Sequence, residues 1–333
     1  MIGKQLSAIQ FFTTLIFILL IPAAFAKEPP GVKYKTIILA DVFLHVSKVQ
    51  AELELLRFHM GKPKSKNIEQ LLSVRYAAPR EVFYQALTLF EKSNQLGFDH
   101  LRVRTSMPST PPSNIQPADV FKVVDQALNR IRAVKKHIGI QELITEPTLN
   151  QQKVPADVLI AIIQINRQLN LLLDEQFPPK GVFKKVSVAI SYASTLLASF
   201  PNASRIPAPD AIQVGKRPAD VLNRLLESYH HIRLIAARSK LTMLQVDLDI
   251  SNIDVAPSDV YDIASLIVSD LAYMNSKLPT SSLPRPVFDS GRKFPSDVFQ
   301  RASILKKQIE LLDTLSKDNP QWLPRFENQN KPL

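Results

Sequence analysis

The residues best suited to chemistry form one short stretch, Tyr229-His230-His231, with Arg224 and Arg233 nearby on the same predicted helix. A tyrosine or histidine can transfer a proton, and an arginine beside it can bind an anionic substrate. Such a set would suit an α-helical enzyme that acts on an anionic glycan. Tyr229 also falls on the apolar face of its helix, which favours a core position for its side chain. We therefore treat Tyr229, His230, His231 and Arg233 as weak candidates and assign no catalytic residue.

One pattern resembles a di-metal site but is incomplete. Glu227 and His230 make a Glu-x-x-His pair, whereas a carboxylate-bridged di-metal bundle needs two such pairs and further glutamates. The chain has no cysteine, so a thiol nucleophile, a disulfide and a lipid-modified cysteine are all excluded. The glycine-rich phosphate-binding motifs and the Gly-x-Ser-x-Gly motif do not occur in the sequence. We expect no metal ion and no cofactor.

A second pattern resembles a calcium-binding loop. Asp247, Asp249 and Asp254 have suitable spacing, but Asn252 replaces the glycine that the sharp turn requires, and Ser258 replaces the bidentate glutamate. The three aspartates are weak metal candidates. A polar connector is the better interpretation of this segment.

The helices that carry these residues are eight copies of one repeat motif: Pro, usually a small residue, Asp, Val, and an aromatic residue or Leu. One copy begins at Leu39, and the others begin at Pro79, Pro117, Pro155, Pro179, Pro218, Pro257 and Pro295. The valine is invariant: Val42, Val82, Val120, Val158, Val182, Val221, Val260 and Val298. Repetition at this period is typical of a helical repeat array or a duplicated bundle.

Each repeat motif is a helix start. Proline suits the first helical position, where its missing N–H costs no hydrogen bond. The acid two residues later can accept backbone N–H groups and interacts favourably with the helix dipole. Seven copies have this acid, and the copy that begins at Pro179 has Gly181 in its place. The acids are Asp41, Glu81, Asp119, Asp157, Asp220, Asp259 and Asp297. The pattern favours capping over catalysis for these acids.

An apolar stripe follows every start. In the last copy it comprises Val298, Ala302, Leu305, Ile309 and Leu312. These steps of three and four residues predict an amphipathic helix of about 20 residues in each copy. The residue after the valine is usually aromatic and widens the same face, which predicts core packing for it rather than ligand stacking.

The spacing of the starts reveals a duplication. The steps are 40, 38 and 38 residues, then 24, then 39, 39 and 38. We predict an all-α fold with two tandem, internally duplicated four-helix units at residues 27–177 and 178–333; the alternative is a continuous α-solenoid. The connectors within each half are long for helix–helix loops. They could return along a helix, so that neighbouring helices lie parallel, and the sequence leaves this open.

The first 26 residues have the features of a secretory signal peptide. Lys4 precedes an apolar run at residues 11–20, and Ala24-Phe25-Ala26 is a small-x-small cleavage site. We expect cleavage between Ala26 and Lys27 and a periplasmic or secreted mature protein. No later stretch of the sequence is long and apolar enough to predict a transmembrane span.

The chain is basic, with a formal net charge of +11 at pH 7. The two predicted halves carry equal charge, since each holds 20 Lys and Arg and 15 Asp and Glu. Small clusters such as Lys184-Lys185 and Lys216-Arg217 are individually typical of solvated helix faces. A diffuse basic surface favours an acidic protein, an anionic envelope polymer or lipid head groups. No nucleic-acid-binding motif is present, so nucleic acid is not expected as the partner.

These features favour a non-catalytic binding or scaffold protein of the cell envelope, because helical arrays present extended faces to partners. The runner-up is an α-helical lyase or hydrolase acting on anionic glycan. A third class is a periplasmic ligand sensor, which would have to act through a separate membrane protein.

Overall fold

The computed structural model describes residues 36–62, 73–108, 114–173, 179–247, 255–279, 284, 287, 290–320, 322 and 323. This part of the chain is all-α, as predicted, apart from two strands of three residues each. The helices are α1 (Leu39–His59), α2 (Pro79–Leu101), α3 (Pro117–His137), α4 (Pro155–Asn170), α5 (Pro179–Leu197), α6 (Pro218–Arg238), α7 (Pro257–Ser276) and α8 (Pro295–Asp318). The strands are β1 (Ser73–Arg75) and β2 (Gln245–Asp247). The predicted signal peptide, residues 1–26, lies outside the described residues.

Seven helices begin with the same cap. The carboxylate of the third helical residue accepts a hydrogen bond of 2.8–3.0 Å from the backbone N–H of the residue before the helix. The acceptors are Asp41, Glu81, Asp119, Asp157, Asp220, Asp259 and Asp297. The predicted capping role of these acids is confirmed. Helix α5 has Gly181 at this position, which offers no side chain for the bond.

The invariant valines are core residues in all eight helices, where each exposes 2% or less of its surface. Burial of such a side chain stabilises the fold by roughly 1.5–3 kcal/mol. The repeat motif therefore combines a helix cap with a core contact one residue later.

Helices α5–α8 form one parallel four-helix bundle, called the second bundle below. Their prolines and valines line a single apolar cavity of about 20 Å³, so all four helices start at the same end. The lining residues are Pro179, Val182, Pro218, Val221, Pro257, Val260, Pro295 and Val298. The helix orientation that the sequence left open is thus parallel.

Helices α1–α4 are called the first bundle, and within it α1 runs parallel to α3 and to α4. His45 near the start of α1 lies 2.9 Å from Asp125 near the start of α3. Further along both helices, the Lys135 ammonium group donates to Glu52 at 2.5 Å. Residues early in α1 thus contact residues early in α3, and later residues contact later ones, as in a parallel pair of helices.

The contact pattern repeats from one bundle to the other. Helices α1 and α2 each contact both α3 and α4, and α5 and α6 each contact both α7 and α8. One detailed contact also repeats: Lys153 Nζ lies 4.6 Å from the Phe43 ring centroid, and Lys293 Nζ lies 4.7 Å from that of Phe183. The fold is therefore two four-helix units and not a continuous solenoid. The limits 27–177 and 178–333 lie partly outside the described residues and stay a prediction.

Long connectors make the parallel arrangement possible. The segment 138–154 runs back along α1, where Glu142 contacts His59 at the end of the helix (3.2 Å) and Glu146 contacts Lys48 nearer its start (2.7 Å). The segment 198–217 runs back along α8 in the same way. Each connector returns the chain to the end of the bundle where the next helix must begin.

Helices α2 and α7 join the two bundles and are antiparallel. Arg80 at the start of α2 stacks over the Tyr273 ring near the end of α7, 3.9 Å from its centroid. Lys92, later in α2, lies 3.4 Å from Asp262 near the start of α7. Strands β1 and β2 pair antiparallel beside them. The described residues from 37 onward consequently belong to one compact unit.

Candidate functional site

The structure gives the tyrosine and the two histidines of Tyr229-His230-His231 different surroundings. Tyr229 is buried, and its hydroxyl donates to the Leu244 carbonyl at 2.8 Å. Burial raises the pKa of the Tyr229 hydroxyl well above its ordinary value, which opposes a role as a base. His230 is exposed, whereas the His231 ring lies 3.0 Å from a carboxylate oxygen of Asp313. Tyr229 and His231 therefore face different parts of the fold.

Asp313 organises an ion cluster between α6 and α8. It accepts hydrogen bonds from Arg238 and His231, and Lys317 lies 3.8 Å away. Burial opposes ionisation of Asp313, but the bonds from Arg238 and His231 outweigh it and lower the pKa of this carboxyl. His231 is thereby placed in an internal contact of the second bundle.

The calcium-like segment is described only in part. Asp247 ends strand β2, where it is paired with Ser73, and Asp249 and Asp254 lie outside the described residues. Within the described ranges, no group of three or more His, Asp or Glu side chains is arranged to hold a metal ion.

The joint between the bundles contains a buried polar row that sequence reasoning missed. Gln85 Nε2 donates to the Asp262 carbonyl at 3.1 Å, and the hydroxyls of Thr88 and Ser265 lie 3.3 Å apart. Lys92 is fully buried against Asp262. This row left no sign in the apolar periodicity of the chain. Its polar residues lie on helix faces that become buried only where the second bundle covers the first.

At one end of this row are two buried carboxyls, Glu81 and Asp270, which lie close enough to influence each other's ionisation and are called the carboxyl pair below. Both residues expose 0% of their surface, and Arg80 Nε lies 2.6 Å from Glu81. Burial raises the pKa of Glu81 against the favourable charge of Arg80. Burial, and then repulsion from Glu81, raises the pKa of Asp270 well above its ordinary value. The pair therefore holds a proton to higher pH than two exposed carboxyls would.

The start of the second bundle gathers positive charge, and we call this surface the basic end. Its cations lie in or just before the first two turns of α5, α6 and α8: Lys180, Lys184, Lys185, Lys216, Arg217, Arg224, Arg292, Lys293 and Arg301. The shared cavity places these helix starts side by side. Four parallel helix N-termini add their own partial positive charge to the same end.

Aromatic rings hold several of these cations in place. Lys293 and Arg301 lie over the Phe183 ring, at 4.7 and 4.9 Å from its centroid. Lys216 and Arg224 lie over the Phe299 ring, at 4.4 and 5.0 Å. Cation–π contacts of this kind fix the positions of long side chains that would otherwise be mobile.

The acids near the basic end are already engaged. The carboxylates of Asp220 and Asp297 accept hydrogen bonds from the backbone at the starts of α6 and α8. Glu227, one turn further on, lies 2.8 Å from Lys306. These carboxylates and the capping carboxylate of Asp259 keep their charge, but the nine cations outnumber them, so the surface is net positive and favours an anionic partner.

Two exposed apolar side chains stand among the cations of the basic end. Val214 is 88% exposed in the connector before α6, and Phe294 is 53% exposed immediately before α8. Arg217 and Arg292 are exposed beside them in the sequence. The surface thus combines positive charge with accessible apolar groups.

Comparisons with known proteins leave the function to be argued from this geometry. No family model matches the sequence, and no significant match is found among curated proteins or solved structures. Of the helices that the structure describes, none has the length and apolar character required to cross a membrane.

Proposed function

We propose that this protein is a non-catalytic binding or scaffold protein of the cell envelope that presents the basic end to an anionic partner. The observation that carries the proposal is the convergence of nine cations on the helix starts of a single bundle. Their ring contacts and the packed helices beneath them make the surface rigid, which lowers the entropy cost of binding. Export through the predicted signal peptide would place this surface among the anionic polymers and lipids of the envelope.

The experiment is binding to a soluble polyanion, polyphosphate, followed as a function of salt. We compare the mature protein with the double variant Arg217→Gln/Arg292→Gln. The control is Lys122→Gln/Lys136→Gln, which removes the same charge from exposed positions of the first bundle. We expect binding that weakens as salt screens the charges, and that weakens further in the basic-end variant only. Equal losses in both variants would show that net charge, and not this surface, is responsible.

An enzyme acting on anionic glycan is the second candidate. It is favoured by the carboxyl pair, because the charges of Arg80 and Arg233 act on Asp270 and the Tyr229 hydroxyl is close by. A general acid could be built from such a pair. It ranks second because both carboxyls are fully buried. Turnover of an acidic glycan that is lost in Asp270→Asn, with the fold retained, would favour this candidate over the first.

A further inference from the structure

We infer that the basic end docks the second bundle end-on to a bilayer containing anionic phospholipid, with Phe294 and Val214 entering the head-group region. This inference rests on the proposed function and names the partner of the same surface. Its basis is the combination of cations and exposed apolar side chains on two adjacent segments.

The two segments are held next to each other. The Lys216 backbone N–H donates to the Ser296 hydroxyl at 3.3 Å, and its ammonium group lies over the Phe299 ring. Residues 214–217 therefore run beside the start of α8. Phe294 is the residue immediately before that helix. Val214 and Phe294 can thus meet one surface together with their neighbouring cations.

Phe294 places a large aromatic ring at a position where the first bundle has the smaller, equally exposed Val154. It occupies the position before α8, where Ser, Thr, Asp or Asn would add a side-chain cap and Phe adds none. Its backbone N–H is held by Asp297 at 2.8 Å, so the ring projects from a fixed point. The Arg292 guanidinium lies 5.2 Å from its centroid. An aromatic ring bracketed by cations is suited to a membrane interface, where its apolar face is buried and the charges meet phosphates.

Charge alone would serve a soluble polyanion equally well. The apolar side chains favour a bilayer, because the polymer offers them no apolar environment and the lipid interface does. Gly215 and Gly291 adopt positive φ values of 79° and 69°, which lets the chain turn tightly beside each exposed residue. The basic residues would be attracted to the negative surface potential of anionic lipids.

The test is co-flotation of residues 27–333 with vesicles of phosphatidylcholine that contain 30 mol% phosphatidylglycerol, beside vesicles of phosphatidylcholine alone. We expect binding to the anionic vesicles only. Arg217→Gln/Arg292→Gln should weaken it about 30-fold, from the usual attraction of two cations near an anionic surface. Val214→Ser/Phe294→Ser should weaken it about tenfold through the lost apolar contact.

The matched control is Val154→Ser, because Val154 holds the place of Phe294 in the first bundle and is equally exposed at 53%. It should leave vesicle binding unchanged, and circular dichroism checks that every variant keeps its helicity. Binding that Val214→Ser/Phe294→Ser leaves intact would overturn the inference, as would an equal loss in Val154→Ser.

Polyphosphate binding separates this inference from the proposed function. Retention of polyphosphate without vesicle binding would overturn the bilayer as partner and leave the anion-binding function standing. Failure to bind either would overturn both.

Discussion

The starts of the helices in the two bundles share a framework and differ in the surface built on it. In both, a lysine just before the fourth helix of the unit lies over the aromatic ring near the start of the first: Lys153 over Phe43, and Lys293 over Phe183. The residues around these lysines differ. Gln152 and Val154 in the first bundle correspond to Arg292 and Phe294 in the second.

The difference extends to the other helices of the unit. Ala78 before α2 corresponds to Arg217 before α6, and Ala40, Leu44 and His45 of α1 correspond to Lys180, Lys184 and Lys185 of α5. The two halves nevertheless have the same formal charge. The first bundle uses part of its positive charge internally, where Arg132 and Lys135 bind the buried Glu52.

This comparison separates residues required by packing from residues free to meet a partner. The capping acids, valines and ring-stacked lysines recur because any such bundle needs them. The exposed residues before the helix starts have no packing requirement to satisfy, so their difference between bundles is where a partner can act. Four predictions test this division.

The largest effect is expected from a charge in the shared framework. Val120→Asp in the first bundle and Val260→Asp in the second should each lower the free energy of unfolding by more than about 3 kcal/mol, because each buries an unpaired carboxylate. The two valines hold the same repeat position and expose 2% and 1%. Urea unfolding followed by circular dichroism measures both. If only one of the two variants lost much free energy of unfolding, the valines of the two bundles would not be equivalent.

The inner faces differ as well, because Asp270 holds the place in the second bundle that Arg130 holds in the first. The raised pKa of Asp270 and Glu81 means that the folded protein binds more protons than the unfolded chain. This contribution to stability is complete below the ordinary carboxyl pKa and is lost as pH rises through the folded pKa. Asp270→Asn should remove that decline, and urea unfolding between pH 4 and pH 8 measures it.

Asp313 is the control for the sign of this effect. Its pKa is lowered, so its contribution is present above the ordinary carboxyl pKa and is lost as pH falls through the folded pKa. Asp313→Asn should therefore flatten the acid side of the profile. If both variants changed the profile in the same pH range, the assignment of the carboxyl pair would be wrong.

Transfer of the exposed side chains of Arg292 and Phe294 to the first bundle tests whether their place in the second bundle is what matters for binding. In Gln152→Arg/Val154→Phe, the first bundle acquires two side chains of the basic end. Because α2 and α7 are antiparallel, these side chains lie at the end of the molecule opposite the basic end, about a helix length from the docked bilayer, so we expect affinity for the anionic vesicles to stay within about twofold of the unchanged protein. Gln152→Glu/Val154→Phe is the matched control. A rise of about fivefold in the arginine variant alone would show that the first bundle can dock as well, and it would break the assignment of docking to the basic end.

The smallest effect concerns the duplicated lysine contact. Lys153→Met and Lys293→Met should each destabilise the fold by about 0.5 kcal/mol, since a cation–π contact that is only partly shielded from water is weak. The two losses should be equal in urea unfolding. Only Lys293→Met should also weaken vesicle binding, and the reverse pattern would contradict the separation of framework from surface.

Several features of the fold could be predicted from particular residues. A proline followed two positions later by an acid predicts a helix start, and all six such acids form the expected cap, as does Asp41 in the copy that begins with Leu39. The candidate site could be predicted only in fragments. Lys216-Arg217 is visible as a basic pair, but its proximity to Arg292 and Lys293 depends on helices that are parallel and adjacent in space.

The sequence by itself determined where each helix begins, which face of it is buried and that four-helix units are repeated, because capping and apolar periodicity act over a few residues. The tertiary structure alone decided that the helices are parallel, that α2 and α7 meet antiparallel, and that Glu81 meets Asp270. The first of these outcomes depends on connectors that return the chain to the end of the bundle where the previous helix began. The other two depend on which helix face of one bundle packs against the other bundle. Contacts between residues so far apart in the chain leave no periodic signal in it.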